Sequence, residues 1–144
     1  MWCLDPVNST ELINSMRPHG RDREFEVAWV GEGWRSLVAQ CHDRLSARFP
    51  GYELLDIKQK HGILWYQAFP RRWVQGQEQW TQEEADELNA IIDEFQIRSQ
   101  VICEWCGAAA RLREWRAVEL TLCDDCDRRF PDPPISPTPR TITQ

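Results

Sequence analysis

Apolar residues first fall into a regular pattern at Gly33. From there Trp34, Leu37, Val38, Cys41, Leu45 and Phe49 recur at the i, i+3, i+4, i+7 spacing of one helix face, and Pro50-Gly51 ends the pattern. The next two apolar runs, Tyr52 to Lys58 and Ile63 to Phe69, are rich in aromatic and β-branched residues. Lys60-His61-Gly62 lies between them, which predicts a β-hairpin. In the second strand Ile63, Trp65, Gln67 and Phe69 share one face and Leu64, Tyr66 and Ala68 the other, and both faces read as covered. Thr81-Gln82-Glu83-Glu84 then has the form of a capping box, with the Thr81 hydroxyl and the Glu84 carboxylate satisfying each other's backbone amides. It opens a helix predicted over 82–98, whose buried stripe is Ala85, Leu88, Ile92 and Phe95, widened by Ile91.

The flanks lack such periodicity. Residues 1–30 mix Pro6, Pro18 and Gly20 with polar positions and read as a partly ordered N-terminal lead-in, with at most a helical turn near Ser9 to Ser15. Residues 130–144 contain five prolines and little apolar material, which predicts an extended or disordered tail. The expected fold class is therefore α+β: a helix, β-hairpin, helix core over 31–100, followed at 101–129 by a segment of different chemistry.

That segment carries the strongest signal in the chain. Four of the six cysteines form two matched pairs, Cys103-x2-Cys106 and Cys123-x2-Cys126, separated by sixteen residues. In a reducing compartment such pairs ligate metal before they cross-link. Each pair can place two thiolates on one tight turn, and the intervening residues suffice for a short hairpin out and back. The result is a zinc ribbon in which four sulfurs surround one Zn²⁺ at about 2.3 Å. Gly107, directly after Cys106, supplies the backbone freedom that a turn around a metal needs. Four cysteine ligands leave no position for water or substrate, so the ion is expected to be structural. Cys41 falls on the helical stripe and is expected to pack there.

Size and charge narrow the function classes. With 144 residues the chain suits one domain or a small core with an appendage, which excludes a large multidomain enzyme. No apolar run approaches the roughly 18 to 20 residues needed to cross a bilayer. Met1-Trp2-Cys3-Leu4-Asp5-Pro6 lacks the basic start and apolar block of a secretory signal, so a cytoplasmic location is expected. The net charge of −6 is local in origin: between Arg72 and Arg98 there is no Lys or Arg but there are seven acids, Glu78, Glu83, Glu84, Asp86, Glu87, Asp93 and Glu94. A one-sign acidic stretch complements a basic cleft. In the cysteine segment Arg98, Arg111, Arg113, Arg116, Arg128 and Arg129 are candidates for nucleic-acid contact. Six acids, Glu104, Glu114, Glu119, Asp124, Asp125 and Asp127, offset them.

No catalytic pattern emerges. His19, His42 and His61 lie in a loop, a helix and a turn, and neither a phosphate-cradling loop nor a dinucleotide fingerprint is present. Eight tryptophans are an unusual endowment, and the core stripes account clearly for Trp34 and Trp65 alone. Trp73, Trp80, Trp105 and Trp115 either fill gaps around the ribbon or anchor an interface.

Gly33-Trp34-Arg35 at a helix start, Lys58-Gln59-Lys60-His61-Gly62 in a hairpin, Cys103-Glu104-Trp105-Cys106-Gly107 and Leu122-Cys123-Asp124-Asp125-Cys126 follow one another in an order that resembles a group of small uncharacterised bacterial and phage proteins. The resemblance covers about residues 33–126. It implies this architecture and a bacterial or phage setting, and brings no activity with it. The leading expectation is a non-enzymatic, zinc-stabilised protein that occupies a protein partner's surface through Glu78, Glu83, Glu84, Asp86, Glu87 and Glu94 with Trp73 and Trp80. Its partner would be a basic nucleic-acid-handling protein, and in a phage setting its role would be to inhibit a host defence. The alternatives are a nucleic-acid-binding ribbon and a small enzyme with an unrecognised site.

Overall fold

The computed structural model describes residues 3–23, 25–77 and 79–131. Glu78 and the proline-rich residues 132–144 lie outside the described residues, so the expectation for the tail is not addressed. The elements run α1 (Thr10–Met16), a 3₁₀ turn (Arg17–His19), a second 3₁₀ turn (Glu32–Trp34), α2 (Arg35–Arg48), β1 (Glu53–Lys60), β2 (Ile63–Phe69), α3 (Gln82–Ser99), β3 (Arg111–Arg113), β4 (Leu120–Leu122) and α4 (Asp124–Arg129). The α+β class and the helix, hairpin, helix order of the core are as the periodicity predicts.

β1 and β2 pair antiparallel from Glu53↔Phe69 to Lys60↔Ile63, with a bulge at Leu55. The bulge lets Leu54 and Ile57, three positions apart, both face inward opposite Ala68 and Tyr66. The connecting loop is two residues, His61 (φ 54°) and Gly62 (φ 74°), both left-handed as a tight hairpin turn requires. Helices α2 and α3 lie antiparallel behind this hairpin, and the stripe Trp34, Leu37, Val38, Cys41, Leu45 meets Leu88, Ile91, Ile92 and Phe95 in one core. Polar rungs mark the seam: Arg48 pairs with Glu87, Arg44 with Glu94, and Arg98 donates to Gln40 at 3.1 Å. The capping box at Thr81 and Glu84 forms in both directions, at 3.1 and 3.0 Å.

Two expectations need correction. Residues 1–30 are not a lead-in: Leu4, Ile13, Met16, Ala28 and Val30 are fully buried, and Leu4 and Ala28 exchange backbone hydrogen bonds at 2.9 Å. The segment then runs along the outer edge of β1, bridging Gly20 to Leu54 and Trp29 to Lys58 in parallel. The hairpin is also not covered on both faces. Leu64, Tyr66 and Ala68 point into the core, whereas Trp65, Gln67 and Phe69 stay half-exposed because the helices pack on one side only.

The cysteine segment docks on the core through backbone. Gly33 N–H donates to Glu104 C=O at 2.7 Å, Glu104 N–H to Thr121 C=O at 3.0 Å, and the Thr121 hydroxyl to Gly62 C=O at 2.6 Å. Trp34 Nε1 adds a bond to Ile102 C=O at 2.8 Å. Contact is so close at Gly33 that a Cβ there would lie 2.1 Å from the Cys103 carbonyl oxygen and 2.7 Å from the Cys106 nitrogen. Overpacking against backbone has no rotamer to relieve it. Gly33→Ala is therefore expected to lower stability by about 3 kcal/mol or more, whereas Gly51→Ala, where an added Cβ meets nothing within 4 Å, should stay within about 0.5 kcal/mol. Urea unfolding of the two variants side by side checks this.

Candidate metal centre and the surfaces around it

The first cysteine pair sits on a tight turn. Gly107 takes φ +84°, its N–H bonds to the Cys103 carbonyl at 2.9 Å, and Cys103 N–H bonds to Ala108 C=O at 2.7 Å, which brings Cys106 back beside Cys103. The chain then goes out along β3 and returns along β4, Arg111 opposite Leu122. The second pair is held differently from the first: Cys123 stands at the N-cap of α4 and its sulfur accepts the Cys126 N–H at 3.3 Å.

These four side chains converge, with all four sulfurs within 4.8 Å of one another and Cys106 Sγ 3.6 Å from Cys123 Sγ. All four thiols are free. A tetrahedron with metal–sulfur bonds of about 2.3 Å has edges of about 3.8 Å, so the cluster can hold a metal ion without rearrangement. The Cys126 amide, donating to Cys123 sulfur, draws that thiol down to about 7, while burial pushes Cys106 and Cys126 up. Cys123 is thus the most easily deprotonated of these three, while Cys106 and Cys126 depend on an ion to displace their protons.

The residues beside the ligands are themselves built in. The Glu104 side chain is buried and accepts Gly31 N–H on Oε2 at 2.9 Å, while Oε1 meets no hydrogen-bond partner among the described residues. Burial raises this carboxyl to about 7, with the Gly31 bond opposing. Arg113 and Arg116, candidates for nucleic-acid contact by sequence, are buried: Arg113 donates to Leu122 C=O at 3.1 Å and Asp124 at 2.6 Å, and Arg116 to Asp127 at 3.0 Å and Phe130 C=O at 2.8 Å. They brace the loop between β3 and β4 against α4. Arg128 and Arg129 both pair with Asp125, and Arg98 sits by Glu94 and Gln40. Arg111 remains exposed.

The acidic stretch is likewise partly matched. Glu84 pairs with Arg71, which holds its carboxyl below the usual range, Glu87 with Arg48, and Glu94 with Arg44. Asp86 accepts from Gln82 at 2.8 Å, and Glu83 is exposed. Trp73 is 54% exposed, while Trp80 is half-buried and stacks on Phe69 with ring centroids 5.6 Å apart.

One constellation escaped the sequence. His19 and His42, in different elements, meet around Tyr52: the His19 ring stacks on it at 4.2 Å, and Tyr52 OH lies 2.6 Å from His42 Nδ1 and 2.8 Å from Tyr66 OH. Each hydroxyl proton has an acceptor if Tyr66 donates to Tyr52 and Tyr52 to a neutral His42 Nδ1. No local spacing announces this, because Tyr52, just before β1, and His19, in the first 3₁₀ turn, meet only in the folded chain. Compared with protein families, with curated proteins and with solved structures, the chain finds no match in any of the three.

Burial, and then the nearby His19, lower the His42 pKa below its ordinary 6.5. The folded state therefore binds fewer protons than the unfolded chain, so this contribution is present above about pH 6.5 and is lost as pH falls toward the folded value. Protonation would also reverse the Tyr52 bond and strand the Tyr66 proton. His42→Asn, which keeps an acceptor near Nδ1, should show a shallower loss of urea midpoint between pH 7.5 and 5 than the parent chain.

Proposed function

We infer that the chain is a non-enzymatic binding protein whose scaffold is clasped by one zinc ion. The donor set carries this reading: four sulfurs fill a tetrahedral shell and leave no open position for water or substrate. Zinc is the ion whose preference best suits such a shell of soft thiolates. Cys103 and Cys106 would tie the first turn to Cys123 and Cys126 at the start of α4, and the bound ion would supply cross-linking free energy, of order 10 kcal/mol in small peptides. His42, Tyr52 and Tyr66 are buried, and their hydrogen bonds order the core packing beneath the half-buried His19.

Action then falls to exposed surface. A protein partner met through the acidic start of α3 is supported by Glu83, Asp86 and Asp93, which are clear of arginines among the described residues, and by Trp73. A basic nucleic-acid-handling protein is the partner that this charge suits, as an inhibitor in a phage setting would need. Ion pairing of Glu84, Glu87 and Glu94 weakens that face. Burial of Arg113 and Arg116 weakens direct nucleic-acid contact by the cysteine module.

Cobalt substitution tests the closed shell. Co²⁺-loaded protein is expected to show intense thiolate-to-metal absorption with tetrahedral ligand-field bands that added cyanide or imidazole does not change. Bands that shift with added ligand would reveal an exchangeable position and overturn the structural assignment.

A further inference from the structure

The hairpin presents to solvent a face that combines aromatic rings with cations. Bridge partners project from the same side of a sheet, so the Trp29↔Lys58 bridge and the Lys58↔Trp65 pair set Trp29, Lys58 and Trp65 in one row across three chain segments. Trp29 is 64% exposed although its neighbours Ala28 and Val30 are fully buried. Lys60 Nζ lies 5.0 Å from the centre of the Trp65 ring. Further along the same face Phe69 carries Trp80 on one side and the Arg21 guanidinium at 5.9 Å, and Arg21 leads into a hollow of about 460 Å³ shared with Glu53, Arg72 and Trp73.

The charges on this face are unequally matched. Glu53 takes Arg21 at 3.2 Å and Asp56 takes Lys58 at 3.6 Å. Lys60 has no carboxylate partner among the described residues. Among the described residues Arg72 donates to the carbonyls of Arg21 and Gly20 and meets no carboxylate. Two uncompensated cations thus flank a run of ring faces, the arrangement that takes phosphates and unstacked bases together. Asp22, Glu26 and Asp56 share a groove with Trp29 at the β1 edge, so phosphates would be confined to the Lys60 and Arg72 sides of that ring.

We propose that this face binds single-stranded nucleic acid, bases stacking on Trp29 and Trp65 and phosphates meeting Lys60 and Arg72. With its nitrogen toward Asp56, the Gln67 amide donates to Asp56 Oδ1 at 3.1 Å and accepts from Trp65 Nε1, which fixes the Trp65 ring on the face. The proposal goes beyond the reading above, since it concerns another face of the molecule and another class of partner. It fails separately from that reading, since cobalt spectra report the shell and an oligonucleotide titration reports the face.

The test is fluorescence anisotropy of a labelled oligothymidine of about 15 nucleotides, titrated with the zinc-loaded full chain at low salt. Binding should weaken with salt at a log–log slope near −1.4, the value for two phosphates on a single strand. Trp29→Ala and Lys60→Glu should each weaken it at least tenfold with unchanged circular dichroism and melting temperature. Trp115→Ala, which removes a 61% exposed tryptophan from the cysteine module, should leave it unchanged. Oligouridine should bind comparably, since neither ring stacking nor the two phosphate contacts read the sugar. Absence of binding at low salt, equal loss in Trp115→Ala, unchanged affinity in Trp29→Ala, or duplex DNA binding as tightly would each overturn the proposal. So would sedimentation showing a dimer that Trp29→Ala dissolves, since the face would then belong to a second copy of the chain.

Discussion

The structure depends on a contact between two pieces of backbone. The turn that carries Cys103 and Cys106 lies against Gly31-Glu32-Gly33 so tightly that no side chain fits between them, and hydrogen bonds from Gly31 and Gly33 to Glu104 fix the distance. A module whose own buried set is little more than Leu122 and three cysteines has no core able to fold it alone. Docking gives it a second surface, and the thiol cluster in turn holds the surface in the shape that docks. Metal binding and core packing are on this account one cooperative event, because the turn that positions two ligands is also the turn that Gly33 requires.

The same contact explains which sequence features can be read without a structure. The α2 stripe, the capping box at Thr81 and the alternation of Leu64, Tyr66 and Ala68 are local: each repeats with the period of its own element, so sequence exposes them directly. The cysteine spacing is legible for a related reason, since two cysteines three positions apart can share one tight turn that turns both sulfurs to the same point. The N-terminal segment is not periodic. Leu4, Ile13, Met16, Ala28 and Val30 are buried one at a time against an existing core, and nothing in their spacing distinguishes them from a loop. The fates of Arg113 and Arg116 were hidden as well, because whether an arginine is a surface cation or a buried brace depends on Asp124 and Asp127 arriving from the next element.

Charge follows the same division. Read along the chain, the residues from Glu78 to Glu94 form a bare acidic block. In the fold, arginines from α2 and from the loop after β2 return to Glu84, Glu87 and Glu94, so much of that block becomes a seam between helices. Exposed pairs of this kind contribute little stability each, but they reduce the field that the acids present to a partner. Cations scattered in sequence, Lys60 and Arg72, meanwhile end on one side of the hairpin beside Trp29 and Trp65. Topology thus redistributes charge that composition alone would assign to the wrong surface.

An isolated two-stranded hairpin is marginal in water, and this one is supported from several directions. Helices α2 and α3 cover its inner face, Gly20 and Trp29 bridge the outer edge of β1, and Ser99 Oγ accepts Leu64 N–H at 2.9 Å on the outer edge of β2. Thr121 and Leu112 of the cysteine module close on Gly62 at the tip. Gly33-Trp34-Arg35, Lys58 to Gly62 and Cys103 to Gly107 include the glycines that make this tip and this docking possible. Those motifs therefore specify a support. What the support holds rigid is the one hairpin face on which neither helix packs, and a scaffold arranged to keep two strands ordered while leaving that face open places recognition on Trp29, Trp65 and their flanking cations.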